Sequence, residues 1–261
     1  LDRWWGLEML STIQSFQSIA RLRVAGGGGF IGDDSELNTG NYFWYSFDDA
    51  DNTGSNPDDL SSAGNNGTNN GATTGQTGDT GESYGFDGVN DYVDSGVAPS
   101  ASDTEITLYV KFQLKATGGA NKMLIAFQDT SFAKYCTIRY TASVTRVDFE
   151  VQNSDSEYDV VTHTISASTS VWYEAVLKVS GSSDSGEMKA FFGEVGSMVQ
   201  VGSTQARTTN GNFSSANNII IGRNSVNTGN PADIYVDQAG AWNKYVSDSK
   251  ITDVLSGNTW D

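Results

Sequence analysis

Residues 106–114, Ile106-Thr107-Leu108-Tyr109-Val110-Lys111-Phe112-Gln113-Leu114, alternate apolar with polar or amphipathic side chains without a break. Period two is the signature of a strand with one face on a core and the other turned away from it. Downstream, Val147, Phe149 and Val151 alternate with Asp148, Glu150 and Gln152 in the same manner. Upstream, Tyr42-Phe43-Trp44-Tyr45-Ser46-Phe47-Asp48 has the aromatic density of a pleated, half-buried surface. Further strands are expected near residues 122–128, 134–141, 158–165, 171–180, 188–195, 198–203, 218–223 and 233–243, each bounded by Gly, Ser, Asn or Asp clusters. About a dozen strands in one chain predict two packed antiparallel sheets, an all-β sandwich. One short C-terminal helix is expected over 248–255, behind the N-cap residue Ser247, with Ile251, Val254 and Leu255 on one face.

Composition agrees with many short strands joined by turns: 261 residues with 29 Gly, only 3 Pro and 11% aromatic residues. Lys+Arg 15 against Asp+Glu 32 gives a net charge of −17, which repels phosphate backbones and excludes nucleic-acid binding as the main task. One His and one Cys exclude His-based or thiolate zinc sites, iron–sulfur clusters and an intramolecular disulfide. Cys136, in the alternating run Tyr135-Cys136-Thr137-Ile138, reads as a buried, inert thiol. His163 has no acid partner or nucleophile motif at a suggestive spacing and reads as a surface or hydrogen-bonded residue. No apolar run is long enough to span a bilayer, and the N-terminus does not show the residue order of a signal peptide.

Two segments stand apart from the strand pattern. Residues 7–24 place Leu7, Leu10, Ile13, Phe16, Ile19 and Val24 at helical spacing, and Gly26-Gly27-Gly28-Gly29 then breaks the helix. Residues 1–29 carry net charge +1, leaving −18 for residues 30–261. An amphipathic arm over 1–29, including Arg21 and Arg23, is therefore expected to dock the domain over 30–261 onto other protein subunits or onto further copies as a homo-oligomer. From Asp49 to Glu82 the chain is almost wholly Asp, Asn, Gly, Ser and Thr, and is expected to be a structureless loop held by the scaffold or by ions.

The string Tyr84-Gly85-Phe86-Asp87-Gly88-Val89-Asn90-Asp91-Tyr92-Val93, preceded by Tyr45-Ser46-Phe47-Asp48, resembles the opening strands of the laminin-G-like, concanavalin A-like lectin/glucanase superfamily. Val171-Trp172-Tyr173-Glu174-Ala175-Val176, Ile219-Ile220-Ile221-Gly222 and Ile234-Tyr235-Val236-Asp237-Gln238-Ala239-Gly240-Ala241-Trp242-Asn243 follow in the family's order. The resemblance covers about residues 42–256 and implies a two-sheet antiparallel jelly roll. Two departures stand out: Tyr173 and Glu174 replace the usual His after the tryptophan, and Gly193 lies in the 188–195 hairpin where the family often has an Asp-Gly turn. The superfamily includes lectins, hydrolases, lyases and adhesive modules, so the fold alone does not give the function.

β-Glucan-cutting members carry a Glu-x-Asp-x-(x)-Glu strand whose carboxylates share a face. The nearest string here is Asp148-Phe149-Glu150-Val151-Gln152, with the residue types in the wrong order and an amide that cannot donate and recover a proton. Asp148, Glu150 and Gln152 are instead expected to be a solvated outer face or a sugar-contacting strip. By the same resemblance, a structural Ca²⁺ is expected where first and last strands meet, held by Asp237 with Asp48 next, among hard oxygen donors of the loop 48–59. These features together predict a non-enzymatic, surface-displayed structural or adhesive module, a virion decoration or fibre-associated protein that contacts glycans at an extracellular or virion surface. A secreted polysaccharide hydrolase or lyase, or a soluble lectin of the same fold, is the alternative.

Overall fold

The computed structural model describes residues 36–131, 134–152, 158–181, 186–207, 212–213, 217–224 and 229–252. The expected arm over 1–29 lies outside them. In chain order the first strands are β1 (Asn41–Tyr45), β2 (Asn52–Thr53), β3 (Asn56–Pro57), β4 (Thr68–Asn70), β5 (Thr73–Thr77), β6 (Glu82–Asp87) and β7 (Tyr92–Asp94). The long central strands are β8 (Glu105–Leu114), β9 (Lys122–Gln128), β10 (Tyr135–Thr141), β11 (Arg146–Gln152), β12 (Tyr158–Thr164) and β13 (Trp172–Ser180). They are followed by β14 (Gly186–Glu194), β15 (Val199–Arg207), β16 (Ile220–Ile221) and β17 (Asp233–Trp242).

All pairings are antiparallel. One eight-stranded sheet runs β15-β14-β13-β8-β17-β6-β5, with β1 also on β17. The seven-stranded sheet runs β12-β11-β10-β9-β16-β7-β4. Between them lies one large core to which the period-two sets contribute as the sequence indicates: Ile106, Leu108, Val110, Phe112 and Leu114 from β8 share it with Val147, Phe149 and Val151 from β11. Cys136 is buried in this core, and burial pushes its thiol far up, so the inert reading holds. His163 turns its ring inward against Phe192, with centroids 5.6 Å apart.

The last strand is the hub of the larger sheet. One edge of β17 pairs with β8 along its length, while the other edge is shared in succession by β6, opposite Asp233–Val236, and by β1, opposite Ala239–Trp242. Asp237 is the extra residue of a bulge at that handover, where the register to β8 shifts between Val236 and Gln238. Gly240 is required on β17 because a Cβ there would come within 2.5 Å of the Trp44 ring.

Three expectations are corrected. The polar stretch 49–82 is not structureless: β4 and β5 close one edge of each sheet by pairing with β7 and β6. Edge strands add backbone hydrogen bonds without burying alternate side chains, so they need no apolar period. The stretch is also held by its own polar side chains: one carboxylate, Asp59, accepts hydrogen bonds from the backbone N–H groups of Trp44 (2.9 Å), Ser61 (2.8 Å) and Asn65 (2.8 Å). Gly193 is not in a turn but within β14, with the reversal at Val195-Gly196. At the C-terminus a helical turn does start at Asp248, but Ser247 makes no side-chain cap bond and instead donates to Glu36 (3.0 Å); residues 253–261 lie outside the described part. Among the described residues no helix is long and apolar enough to cross a membrane.

Candidate functional site

The outer faces of the two sheets are treated differently by the rest of the chain. On the eight-stranded sheet, Trp44, Tyr109, Val176, Phe191 and Trp242 form a second, smaller core under Leu37, Met198, Val246 and Ile251. The Trp242 indole N–H donates to the carbonyl of Leu37 (2.9 Å), and the wholly buried Lys178 donates to the carbonyl of Val246 (2.8 Å) and pairs with Asp248. Chain segments from both ends thus close this face.

Two acids of the same sheet are deeply buried as well. Glu174 has no exposure and accepts from the Tyr109 hydroxyl (3.0 Å). Burial pushes its carboxyl up to about 7, against the attraction of Lys111. Asp237, 1% exposed, accepts from the backbone amides of Asp79 (2.8 Å) and Thr80 (3.0 Å), and burial pushes its carboxyl up to about 6. Asp48 accepts from the amide of Glu82 (2.6 Å) in the same turn. The two expected calcium ligands therefore use oxygens to clamp the β5–β6 turn by its N–H groups. Among the described residues no three His, Cys, Asp or Glu side chains converge to hold a metal.

Among the described residues the outer face of the seven-stranded sheet is left open, and it carries a pocket of about 390 Å³. Its floor is Tyr135, Thr137 and Arg139 from β10 beside Glu150 and Gln152 from β11, with Met123 and Gln128 from β9 and Asn224 and Asn230 completing the wall. Register explains the assembly: Tyr135 lies opposite Gln152, Thr137 opposite Glu150 and Arg139 opposite Asp148. The loop carrying Asn224 and Asn230 is tied down by Met123 N–H donating to the Asn230 carbonyl (3.0 Å) and Gly222 N–H to the Leu124 carbonyl (3.1 Å). Gly222 has φ +93°, and a Cβ there would meet the Phe86 ring at 2.5 Å, so only glycine lets the loop leave β16 at this angle.

The ion pairs at the floor form one network. The Arg139 guanidinium donates to Glu150 Oε1 (2.7 Å) and to Asp148 Oδ2 (3.3 Å), and Arg146 pairs with Asp148 Oδ1 at 2.6 Å. Thr137 donates to Glu150 Oε2 (3.3 Å), and Thr141 donates to Asp148. Burial raises the Glu150 carboxyl, opposed chiefly by Arg139. At the rim, Tyr135 and Tyr158 stand with ring centroids 6.2 Å apart, and burial pushes the Tyr135 hydroxyl up to about 12, so it remains a neutral donor.

Of the three strip residues read from the sequence, the structure brings Glu150 and Gln152 into the pocket. Asp148 is corrected: it is on the same face but is fully buried beneath Arg139, Arg146 and Thr141, neither solvated nor able to touch a ligand. Tyr135, Thr137, Arg139, Gln128, Asn224 and Asn230 escaped the sequence reading. The alternation Tyr135-x-Thr137-x-Arg139 was available as a signal, but which strand lies beside it was not.

No family model matches the chain, and no curated protein matches it. Solved structures do. The botulinum neurotoxin serotype D binding domain superposes with a TM-score of 0.60 at 11% identity, covering 85% of this chain and 51% of that one. The HCR/D F1240A mutant gives 0.56 at 12% identity, over 85% and 52%. The fold is a jelly-roll β-sandwich. A third neighbour, the CBM40 of Ruminococcus gnavus IT-sialidase bound to alpha2,6 sialyllactose, gives 0.51 at 14% identity over 66% of this chain and 95% of that one. At such identities the likeness establishes the jelly roll and nothing finer, and the chain spans about half the length of the toxin domains it matches.

Proposed function

We propose that this jelly roll is a non-enzymatic glycan-binding module of the concanavalin A-like kind, using the pocket on the open face of the seven-stranded sheet. The observation that carries the reading is the contrast in cover: one outer sheet face is sealed by chain segments, whereas the other presents amides, a hydroxyl and a tyrosine pair around about 390 Å³. Side-chain amides and hydroxyls offer donors and acceptors together, which suits sugar hydroxyls. Aromatic rings provide apolar area with a polar tip for the sugar's C–H faces. Two fold neighbours are a neurotoxin binding domain and a sialidase CBM40 bound to alpha2,6 sialyllactose, which favours binding as the class of activity.

Support for a non-enzymatic role comes from the carboxylates. Hydrolysis needs two groups that can exchange a proton and attack across the scissile bond. Asp148 is locked by two arginines and Thr141, and Gln152 is an amide, which leaves Glu150 without a partner at the pocket. Display on a larger assembly, through the basic arm over residues 1–29, is the finer part of this proposal and rests on sequence alone. The test is a glycan array probed with the full chain. Retention of oligosaccharides without cleavage, and at least tenfold loss on Tyr135→Ala, is expected. No retained glycan, binding indifferent to Tyr135→Ala, or release of shorter sugars would overturn the reading.

A further inference from the structure

We infer that the open-face pocket selects uncharged saccharides, and that the Arg139–Glu150 pair is the device that turns acidic sugars away. This rests on the glycan-binding reading above and adds the ligand class.

What Arg139 can offer a ligand is set by the carboxylates beside it. An arginine that recognises a sugar carboxylate presents a vacant fork to two oxygens. Here Nη2 of the guanidinium is shared between two carboxylates, at 2.7 and 3.3 Å, so its positive charge is already compensated. Among the described residues Arg139 is the only cation in the lining, and Arg146, the other arginine of the network, is paired with the buried Asp148. A ligand carboxylate drawn to Arg139 would lie beside the carboxylates of Glu150 and Asp148, like charges side by side in a half-enclosed site. The net charge of the domain adds to the repulsion, because residues 30–261 carry −18.

What remains for a ligand is neutral. Gln152 and Asn230 offer amides, Tyr135 a phenol held in its neutral form, and Tyr135 with Tyr158 an apolar rim. Glu150 itself stays an acceptor while Arg139 compensates its charge. Such a lining matches hydroxyls and ring C–H groups, and its one cation is compensated by carboxylates.

The experiment compares matched ligands on the full chain. Array retention is measured first across neutral oligosaccharides and their sialylated or uronic-acid counterparts, and affinity by calorimetry for the best neutral ligand and its acidic counterpart. Wild type is expected to bind the neutral member at least tenfold more tightly, with affinity nearly unchanged between 50 and 300 mM salt, values set by the screening range. Glu150→Gln, which releases Arg139, is expected to shrink that preference to about threefold or less. Preference for the acidic member in wild type, or an unaltered preference in Glu150→Gln, overturns the inference while leaving glycan binding intact. If Glu150→Gln does not fold, the wild-type preference and its salt profile decide alone. No binding to any glycan removes the inference together with the reading beneath it.

Discussion

The two outer sheet faces start from the same strand chemistry and end as opposites. Both carry alternating charged and aromatic residues: Tyr109, Lys111, Glu174 and Lys178 on the eight-stranded sheet, and Tyr135, Arg139, Glu150 and Tyr158 on the seven-stranded sheet. On the first, chain segments at 36–40 and 243–252 lay a second core over the charges. On the second, the network is sealed only at its base, at Asp148, and the upper groups line a pocket. A polar strand face is therefore not a solvent face by default. Whether it becomes core or site depends on what crosses over it.

Cutting into the covered face should be the most damaging change. Trp242→Ala removes a fully buried indole that packs on Trp44 and hydrogen-bonds Leu37, and should cost about 3–5 kcal/mol in urea denaturation. A loss below ~1 kcal/mol would mean that the cover does not carry stability, and the contrast between the faces would fail.

The next effect is pH-dependent and belongs to the same face. Glu174 holds its proton to about pH 7 and Asp237 to about pH 6 in the folded state, against ordinary values of 4.5 and 3.8. The native state thus binds more protons than the unfolded chain in that window, so stability falls as pH rises from about 4 to about 7. For Glu174 the loss is on the order of 3 kcal/mol. Measured from pH 4 to 8, Glu174→Gln should remove roughly half of this slope, because a neutral amide fits where a protonated acid sits, and leave the share of Asp237 below about pH 6. Stability that instead rises with pH across the window, or a slope undiminished by the substitution, would show that these acids are hydrated.

The smallest effect sharpens the comparison from the other side. Tyr158 is 50% exposed at the pocket rim, so Tyr158→Ala should change stability by less than about 0.5 kcal/mol while weakening glycan retention. A large loss of stability would mark Tyr158 as part of the structure rather than of the site.

Strand positions were largely legible because burial of one face leaves a period-two record: β9 spans the expected residues 122–128, and β8, β11 and β13 agree within a residue. The strands inside 49–82 were not, since edge pairing at β4 and β5 is made by backbone groups that every residue carries. Asp59 explains why a stretch without apolar side chains is ordered. Its one carboxylate satisfies three amide groups, and nothing in the spacing of five acids in 48–59 singles it out.

By itself, the sequence determined the all-β class, the inward and outward sets of each long strand, and the shared face of Asp148, Glu150 and Gln152. All three follow from the two-residue repeat of an extended chain, which is local. The tertiary structure alone decided that Asp148 is buried while Glu150 lines a pocket, that Asp237 and Asp48 clamp a turn, and that Arg139 faces its two acids. Those outcomes depend on register between strands and on which distant segment crosses a face, and neither leaves a mark on the spacing of residues within one strand.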